Sequence, residues 1–588
     1  MTPEERIYTH LAFLYGEAKA SHIWPEVARR LIDFRERNPH LAQDVRPPAE
    51  RLTERDAILI TYGDQFSEPG RPPLQTLRDF LRTHLNGVLS GVHILPCFPS
   101  SSDDGFSVID YLQVDPDLGN WNDIAALGDD FRLMFDAVIN HISRESAWFQ
   151  GFRRGDVPYV GYFITVDPTA DLSTVVRPRA LPLLTAMETS RGVQHVWTTF
   201  SDDQIDLNYA NPQVLLAIID VLLHYVEHGA EIIRLDAIAY LWKEPGASCI
   251  HLPQTHAVVK LWRAILDAVA PKVILITETN VPHAENVSYF GDTLPETGST
   301  DEAQMVYNFS LAPLTLHALL TGDATRLSSW AATLKTPTPA ATFFNFIASH
   351  DGIGVRPAEG ILSPEELHGL VERTVAHGGQ VSYKANPDGS RSVYELNTTL
   401  YDFLNDPAAP DAERDVRRFL ASQAILLSLA GVPGIYVHSL FGSRNCHGCF
   451  EVTERPRSLN REKFKRDALE AVLADPVSHQ RRIFDGYRRL LRVRRGHPAF
   501  HPAGDQRVLN LHDAVFAVQR TAPTKDETVL CLVNVSDRPQ RVPIAAAALD
   551  GSMPPVWRDL VGGNSYRAGQ AHLEIALAAY QVAWLVGG

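Results

Sequence analysis

Three short apolar runs in this chain each lead into a carboxylic acid. The acids are Asp236, Glu278 and Asp351, and an earlier apolar run ends instead in His141. Apolar runs of this length, separated by helix-sized stretches, are typical of strands buried on both faces of a parallel sheet. Polar residues at the carboxyl ends of such strands lie where a barrel of alternating strands and helices carries its chemistry. Three acids and a histidine converging there predict carboxylate-driven chemistry on a polar, uncharged substrate such as a sugar.

The neighbours of the acids indicate different roles in breaking a glycosidic bond. One group must protonate the leaving oxygen, and another must meet an oxocarbenium-like carbon. Arg234 lies two residues before Asp236 on one strand, so both side chains point to the same face and the guanidinium should keep Asp236 ionised as the nucleophile. Glu278 has no basic neighbour in sequence, so a raised pKa and an acid/base role are expected. Asp351, beside His350, would contact sugar hydroxyls.

Each acid taken alone also fits a structural role, because an aspartate at the end of a strand often caps the next helix. Four polar strand ends in serial order, each after a buried-looking run, are much harder to explain by capping. We therefore interpret the acids and the histidine together as a candidate catalytic site.

The remaining pattern predicts the elements that position this site. Strands alternate with helices over much of the chain, which is typical of a parallel α/β fold and here predicts a TIM barrel. Two stretches break that rhythm, the second with turn signals at Asn386–Gly389, and the tail has short alternating runs typical of antiparallel β structure. The predicted division is a helical extension at 1–55, a barrel at 56–141, 211–351 and 400–498, an inserted subdomain at 142–210, a second insertion with a mobile acceptor loop at 352–399 and an antiparallel β domain at 499–588.

Composition restricts the class of protein. The chain has 588 residues, too many for one compact core, with 45% hydrophobic and 21% charged residues. No apolar run reaches the roughly 18 residues of a membrane span, and the N-terminus lacks the pattern of a secretory signal. The net charge of −16 argues against a nucleic-acid partner. We expect a cytoplasmic monomer or homodimer that acts on a small carbohydrate.

The cysteines indicate no cofactor. There are five, and Cys446 and Cys449 have the two-residue spacing of some metal and redox sites. A zinc site would need a second pair of ligands nearby, but the neighbouring segment offers arginines instead. We expect two reduced thiols in a loop, and neither a metal nor a cofactor.

Four segments occur in a fixed order along the chain: Asp136–His141, Ile233–Ala237, Ile276–Glu278 and Ala348–Asp351. Together they resemble the four motifs of the α-amylase superfamily, glycoside hydrolase family 13. The resemblance covers most of residues 56–588. It implies a (β/α)8 barrel, a subdomain after the third strand, a C-terminal β domain and a retaining double displacement. In that reaction Asp236 is the nucleophile, Glu278 the acid/base and Asp351 the transition-state stabiliser.

Further segments are Gly91–Pro96, Asp104–Tyr111, Arg177–Arg179, His350–Val355 and Leu459–Arg461. They resemble the sucrose phosphorylase branch of the family, whose members generally bind no structural calcium. The resemblance implies that glucose hydroxyls are held by Asp103, His141 and Arg461. The predicted glucose-binding set also contains Phe106, Arg234 and His350. The resemblance implies that Phe106 forms a platform for the sugar ring. A core role for Phe106 and a solvated role for Arg461 remain alternatives.

A phosphorylase must admit inorganic phosphate to the face that a hydrolase offers to water. Phosphate needs cationic donors, and the fork of an arginine suits it. By resemblance, Arg179 and Tyr394 contact phosphate or the acceptor. Glu395 stands where sucrose phosphorylases carry glutamine, so we expect this added acid to change which acceptor is tolerated.

Two features resemble longer relatives that phosphorolyse 2-O-α-glucosylglycerate: the extension of about 55 residues and the arginines of 441–457. Arg444 is a candidate partner for a glycerate carboxylate, with a structural loop anchor as the alternative. We expect a retaining phosphorylase that forms α-glucose 1-phosphate, with glucosylglycerate ahead of sucrose, sucrose 6-phosphate and glucosylglycerol. An α-glucosidase or transglucosylase is the second hypothesis. A catalytically inactive binding subunit is the third, but all three acids are present.

Overall fold

The computed structural model describes all residues except 44–46, 180, 387–389, 550–552 and 570–571. Eight parallel strands close into a barrel, which confirms the predicted fold class. In chain order the barrel strands are β1 (Ile58–Thr61), β2 (Gly91–Ile94), β3 (Arg132–Ala137), β4 (Ala230–Leu235), β5 (Ile274–Thr277), β6 (Met305–Asn308), β7 (Thr342–Asn345) and β8 (Val432–Tyr436). Strands that are consecutive in sequence pair in space, and β8 closes the barrel against β1.

The barrel strands are short, apolar and almost completely buried, because helices cover their outer face and side chains fill the interior. Strand register then decides which side chains meet. Arg234 on β4 lies level with Asp136 on β3 and with Ile276 on β5. A polar residue on β3 therefore faces the arginine that precedes Asp236.

Helices alternate with the strands, and the principal ones span Pro73–His84, Trp121–Gly128, Pro212–Glu227, Pro253–Val269, His283–Asn286, Leu311–Thr321, Thr325–Ala331, Ala412–Ser428 and His479–Arg495. Local sequence signals set their starts. Asn211 accepts a hydrogen bond from the backbone of Gln213 and precedes Pro212 at the first helical position. A capping box formed by Asn120 and Asp123 begins another helix.

The N-terminal extension contains helices Pro3–Tyr15, Glu17–Arg37 and Pro39–Ala42. It packs against the outside of the barrel through apolar side chains such as Leu11 and Val27, both fully buried. Ion pairs lie around this contact, with Arg6 2.7 Å from Asp267. The extension therefore adds a helical layer outside the barrel.

Two irregular regions follow β3 and β7. The first contains the helix Ala147–Arg154, the hairpin of Leu184–Thr189 with Gly192–Trp197, and the strand pair of His141–Ser143 with Gln204–Asp206. The second contains the helix Pro364–Ala376 and a three-stranded antiparallel sheet of Ile353–Gly354, Arg391–Asn397 and Gln380–Ala385. The turn expected at Asn386–Gly389 falls mostly outside the described residues. Around β8 lie the helices Leu400–Leu404, Val437–Phe441, His447–Thr453 and Arg466–Ala474, and Phe464–Lys465 pairs with Phe66–Ser67.

The C-terminal region is antiparallel, as predicted. Its six-stranded sheet has the order Asp505–Val508, Val515–Thr521, Thr528–Asn534, Val582–Gly587, Val556–Asp559 and Ser565–Arg567. Gln540–Ala545 pairs with His572–Leu577 in a second sheet. Val542 and Ile575 pack between the sheets in a separate apolar cluster. The domain boundaries themselves stay a prediction.

One prediction about the cysteines is wrong. Cys446 and Cys449 form a disulfide across the first turn of the helix His447–Thr453, with Cα atoms 5.2 Å apart. A two-residue gap on a helical turn brings the two side chains together, which a loop assignment could not reveal. Cys97, Cys249 and Cys531 are free and buried. Within the described ranges, no helix is long and apolar enough to cross a membrane.

Candidate active site

The carboxyl ends of the barrel strands bring the three predicted acids into the lining of one pocket. Asp236 directly follows β4, Glu278 directly follows β5, and Asp351 lies in the segment after β7. The N–H of Ala237 donates to Oε2 of Glu278 at 3.0 Å. Ala237 has a φ of 49°, a left-handed conformation that is uncommon outside glycine and often occurs at functional sites. The backbone after β4 is thus shaped to hold the carboxylate that follows β5.

Arg234 is the charge centre of the site, and its side chain is buried. Nη1 of Arg234 donates to Oδ1 of Asp136 at 2.7 Å and to Oδ1 of Asp236 at 2.7 Å. Nη2 of Arg234 lies 3.9 Å from Oε2 of Glu278. Nε2 of His93 holds Asp136 from the other side at 2.9 Å. The guanidinium of Arg234 therefore forms hydrogen bonds with two carboxylates and lies close to a third.

Asp136 and His93 were missed as site residues. Asp136 belongs to one of the motif segments. The sequence around Asp136 does not show which residue pairs with its carboxylate. Strand register was the missing signal, since it places Asp136 level with Arg234.

The pKa values qualify one prediction. Burial raises the pKa of Asp236, the charges of Asp136 and Glu278 add to this, and Arg234 opposes it. Burial also raises the pKa of Glu278, as predicted, again against Arg234. The expectation that Arg234 keeps Asp236 ionised stays a prediction: the guanidinium donates to Asp236 as expected, but it is divided between two aspartates and burial opposes it.

Hydrogen bonding still distinguishes the two acids. Asp236 accepts a 2.7 Å bond from Arg234, whereas the guanidinium is 3.9 Å from Glu278. A hydrogen bond from a guanidinium stabilises the charged form of a carboxyl group. The ionised form of Asp236 is thus stabilised more by Arg234 than that of Glu278. Glu278 is better suited to carry a proton.

Asp351 lies in a more basic environment. Nη1 of Arg457 is 2.5 Å from Oδ1 of Asp351, and Nη2 of Arg461 is 4.0 Å from it. Burial opposes ionisation of Asp351, but Arg457, with His350 and Arg461, outweighs burial and lowers its pKa. Asp351 is therefore the firmly ionised member of the three acids.

Arg457 joins Asp351 to Glu395. Nη2 and Nε of Arg457 donate to the two carboxylate oxygens of Glu395 at 2.6 and 3.1 Å. Glu395 is buried, and this fork pairs its charge. The acid that departs from sucrose phosphorylases is therefore paired with Arg457, so we replace the expectation that it changes which acceptor is tolerated by a role in positioning Arg457. Arg457 was not predicted as a site residue, although the run of arginines before Arg461 was a signal.

The structure does not bring Arg444 into the pocket lining. Its Nη1 is 3.2 Å from Oδ1 of Asp402, and its guanidinium lies 5.4 Å from the ring centre of Tyr401. These contacts favour the loop-anchor alternative, so we withdraw the assignment of Arg444 to an acceptor carboxylate.

The residues assigned to glucose binding gather at the acids. Asp103, Phe106, His141, Arg234 and His350 line the pocket. The ring of Phe106 stacks on His350 with centroids 4.8 Å apart and an interplanar angle of 1°. Arg461 lies just behind the lining, where Nε donates to the carbonyl oxygen of His350 at 2.8 Å. The core alternative thus holds in part for Phe106, which is buried and also forms the pocket wall, whereas the solvated alternative for Arg461 is wrong, because Arg461 is buried.

Arg179 and Tyr394 also line the pocket. The guanidinium of Arg179 lies 5.7 Å from the ring centre of Tyr394, within the range of a cation–π contact. Glu278 lines the same pocket, so this pocket holds a cation together with the acid that would meet a leaving or attacking group.

Lys243 is a buried cation close to the segment that follows β3. Nζ of Lys243 lies 2.6 Å from Oδ1 of Asn140 and 2.7 Å from Oδ2 of Asp206, and its side chain is 1% exposed. Across the described part of the chain, no group of three or more His, Cys, Asp and Glu side chains could hold a metal ion. Lys243 ties the barrel to the strand pair that contains Asp206.

We expect Lys243→Met to lower the free energy of unfolding by about 3–5 kcal/mol, because the buried Asp206 would lose its counter-charge and keep only hydrogen bonds from Thr199 and Asn140. Thermal and denaturant unfolding would measure the loss. The control is Lys525→Met, which removes an exposed ion pair and should cost at most about 1 kcal/mol. Equal stability of the two variants would show that the buried pair is not needed.

Comparisons with known proteins agree with this architecture. Residues 87–352 match the family described as alpha amylase, catalytic domain. The glucosylglycerate phosphorylase of Allomeiothermus silvanus is 51% identical over 100% of this chain and 99% of its own. The glucosylglycerate phosphorylase of Escherichia coli is 43% identical over 99% of this chain and 100% of its own.

A solved structure resembles the whole barrel. The crystal structure of sucrose 6F-phosphate phosphorylase from Thermoanaerobacter thermosaccharolyticum has a TM-score of 0.70 and 26% identity, and the match covers 82% of this chain and 94% of that chain. The chain belongs to the α-amylase superfamily, glycoside hydrolase family 13. Within the family it falls in the sucrose phosphorylase branch, and over its full length it is similar to glucosylglycerate phosphorylases.

Proposed function

We propose that this enzyme is a retaining glucoside phosphorylase that converts 2-O-α-glucosylglycerate and phosphate into α-glucose 1-phosphate and glycerate. The observation that carries the proposal is similarity at 43% to 51% identity to glucosylglycerate phosphorylases over the whole chain. The acid cluster at the strand ends supports the same chemistry, since a double displacement needs a nucleophilic carboxylate and a proton-carrying carboxyl group side by side.

In the first step Asp236 attacks the anomeric carbon, and the bond to the glycerate oxygen breaks. Glu278 gives its proton to that oxygen, so glycerate leaves as the alcohol and glucose stays covalently attached to Asp236. In the second step the Glu278 carboxylate takes a proton from phosphate, a phosphate oxygen attacks the anomeric carbon, and the bond to Asp236 breaks. Two inversions give retention of the α configuration.

The other pocket residues would hold the glucosyl group during both steps. Asp103 and His141 line the pocket, and Phe106 and His350 form a flat stacked wall. Asp351, held ionised by Arg457, would bind sugar hydroxyls and stabilise positive charge at the anomeric carbon.

Arg179 and Tyr394 favour a phosphorylase over a hydrolase. Inorganic phosphate must displace water at the face next to Glu278, and a guanidinium there would concentrate and orient it. A hydrolase or transglucosylase would have no need of a cation at this position.

The test is product analysis with and without phosphate. We expect α-glucose 1-phosphate from glucosylglycerate and, in reverse, phosphate release from α-glucose 1-phosphate with glycerate ahead of fructose, fructose 6-phosphate and glycerol. Free glucose with no sugar phosphate at any phosphate concentration would reject the phosphorylase. A preference for fructose, fructose 6-phosphate or glycerol would move the enzyme to one of the related phosphorylases.

We expect Glu395→Gln to slow transfer to every acceptor about tenfold. The change removes the charge that holds Arg457 against Asp351, and a charged hydrogen bond of this kind contributes about 1.5–3 kcal/mol. Initial rates with glycerate and glycerol would measure the effect, with Arg444→Ala as the control outside the pocket. A loss confined to one acceptor would contradict this account, because it would mean that Glu395 faces the acceptor directly.

A further inference from the structure

The loop that follows β2 carries two residues of the pocket lining on a strained backbone. These residues are Asp103 and Phe106. Asp103 and Asp104 have φ values of 53° and 49°, the left-handed conformation that residues other than glycine rarely adopt. Gly105 follows with a φ of 106°, and a Cβ there would lie 2.6 Å from the carbonyl oxygen of Pro96. Strain of this kind persists only where the surrounding structure holds the backbone in place.

The side chain of Asp203 holds the two residues that precede this strained pair. Oγ of Ser101 donates to Oδ2 of Asp203 at 2.7 Å, and Oγ of Ser102 donates to the same oxygen at 2.5 Å. Oγ of Ser107 donates to the backbone carbonyl oxygen of Asp203 at 3.1 Å. The loop is therefore bound on both sides of Asp103 to one residue of the irregular region that follows β3.

Asp203 is itself fixed, and it lies outside the pocket lining. The backbone N–H of Arg144 donates to its carbonyl oxygen at 3.0 Å, and Nε of Arg144 lies 3.4 Å from its Oδ1. The next residue, Gln204, pairs with Ser143, and Nε2 of Gln204 donates to the carbonyl oxygen of Phe106 at 2.9 Å. Asp203 can therefore affect the pocket only through the loop that it holds.

Arg461 contacts the same loop from the other side. Its guanidinium forms an ion pair with the carboxylate of Asp104, and Nη1 of Arg461 lies 3.8 Å from Oδ1 of Asp103. Because one guanidinium reaches both carboxylates, it does not by itself decide which of them faces the pocket. The hydrogen bonds from Ser101 and Ser102 to Asp203 fix the backbone just before the two acids, and so fix the direction of each side chain.

We propose that Asp203 is a positioning residue, whose carboxylate holds Ser101 and Ser102 so that Asp103 faces the glucosyl group of the substrate. The inference rests on the proposed function, in which Asp103 holds glucose hydroxyls. Every donor of this enzyme carries the same glucosyl group. Loss of the Asp203 carboxylate should therefore weaken the use of each donor, although Asp203 touches none of them.

A double-mutant cycle tests the coupling of Asp203 to Asp103. The value of kcat/KM is measured with α-glucose 1-phosphate as donor and glycerate as acceptor. We expect Asp203→Ala to lower it about tenfold, the scale of a lost hydrogen bond to a charged group. In an Asp103→Ala background the same change should cost less than about twofold, because the side chain that it positions is already absent.

Two further variants separate hydrogen bonding from charge and from general effects. Asp203→Asn keeps an oxygen that can accept from Ser101 and Ser102, so it should recover most of the loss. Asp202→Ala removes the neighbouring exposed carboxylate and should leave kcat/KM unchanged. Thermal unfolding shows whether each variant is folded. Should Asp203→Ala fail to fold, Ser102→Ala takes its place in the cycle, since it removes one of the same hydrogen bonds.

Equal losses in the two backgrounds would overturn the proposal, because damage to the fold lowers activity whether or not Asp103 is present. A loss in Asp203→Asn as large as that in Asp203→Ala would overturn it as well. Failure of the proposed function is recognised separately, since the wild-type enzyme would then form free glucose and no glucosylglycerate. The cycle is in that case measured on the release of glucose, which needs the same glucosyl pocket.

Discussion

Asp236→Asn is expected to lower phosphorolysis and the reverse reaction at least about a thousandfold, the scale seen when a covalent nucleophile is removed. A carboxamide cannot form the ester intermediate on which both half-reactions depend. Its oxygen can still accept the hydrogen bond that Arg234 now gives to Oδ1 of Asp236, so the site should stay assembled. Turnover in both directions, together with thermal unfolding, would measure the effect.

The control for this variant is Asp220→Asn, which changes a half-exposed acid paired with Arg30 on the outer surface. It should leave turnover within about twofold, as expected for a change at an exposed ion pair. Unchanged turnover in Asp236→Asn, with the protein folded, would show that the assigned mechanism is wrong.

Glu278→Gln is expected to lower phosphorolysis of glucosylglycerate about 10²- to 10⁴-fold, the contribution of a general acid. Glycerate leaves as an alkoxide unless it receives a proton, whereas fluoride leaves without one. Formation of the glucosyl-enzyme from α-glucosyl fluoride should therefore be affected much less. Comparing the two donors by stopped-flow kinetics tests the role directly, with Glu285→Gln, a half-exposed glutamate, as the matched control.

The same variant should change the pH profile. Glu278 must be protonated to act as an acid, so activity falls as the pH rises through its pKa. Burial raises that pKa, so the fall should come at higher pH than for an ordinary glutamic acid. The basic limb should disappear in Glu278→Gln. If the limb persists unchanged in the variant, another group is the acid.

The strand ends could be recognised from sequence because their signal is local. A buried strand is read from a few consecutive apolar residues, and the residue after it lies at the carboxyl end of the barrel wherever the strand sits. Asp236 and Glu278, which directly follow their strands, therefore needed no knowledge of the fold, and Asp351 follows β7 after a short segment. The antiparallel C-terminal region was readable for the same reason.

The positions of Arg444 and Arg457 could not be predicted from local sequence. Arg444 and Arg457 lie in one basic segment, and nothing nearby in sequence distinguishes them. The backbone N–H of Asn445 donates to Oδ2 of Asp402 at 2.7 Å, which fixes Arg444 beside that acid and outside the pocket. Nδ2 of Asn460 donates to the carbonyl oxygen of Ser349 at 2.7 Å, which fixes the turn after Arg457 against the segment that carries Asp351.

The sequence by itself determined that this protein is a barrel enzyme with three acids at its strand ends, and the resemblance of its motifs placed it in the sucrose phosphorylase branch. Only the tertiary structure decided how the charges are shared: Arg234 between Asp136 and Asp236, and Arg457 between Asp351 and Glu395. The physical reason is the distance in sequence between the interacting residues. Strand and helix patterns arise between near neighbours. The ion pair of Arg234 with Asp136 joins residues 98 positions apart, so it depends on the strand register that brings them together.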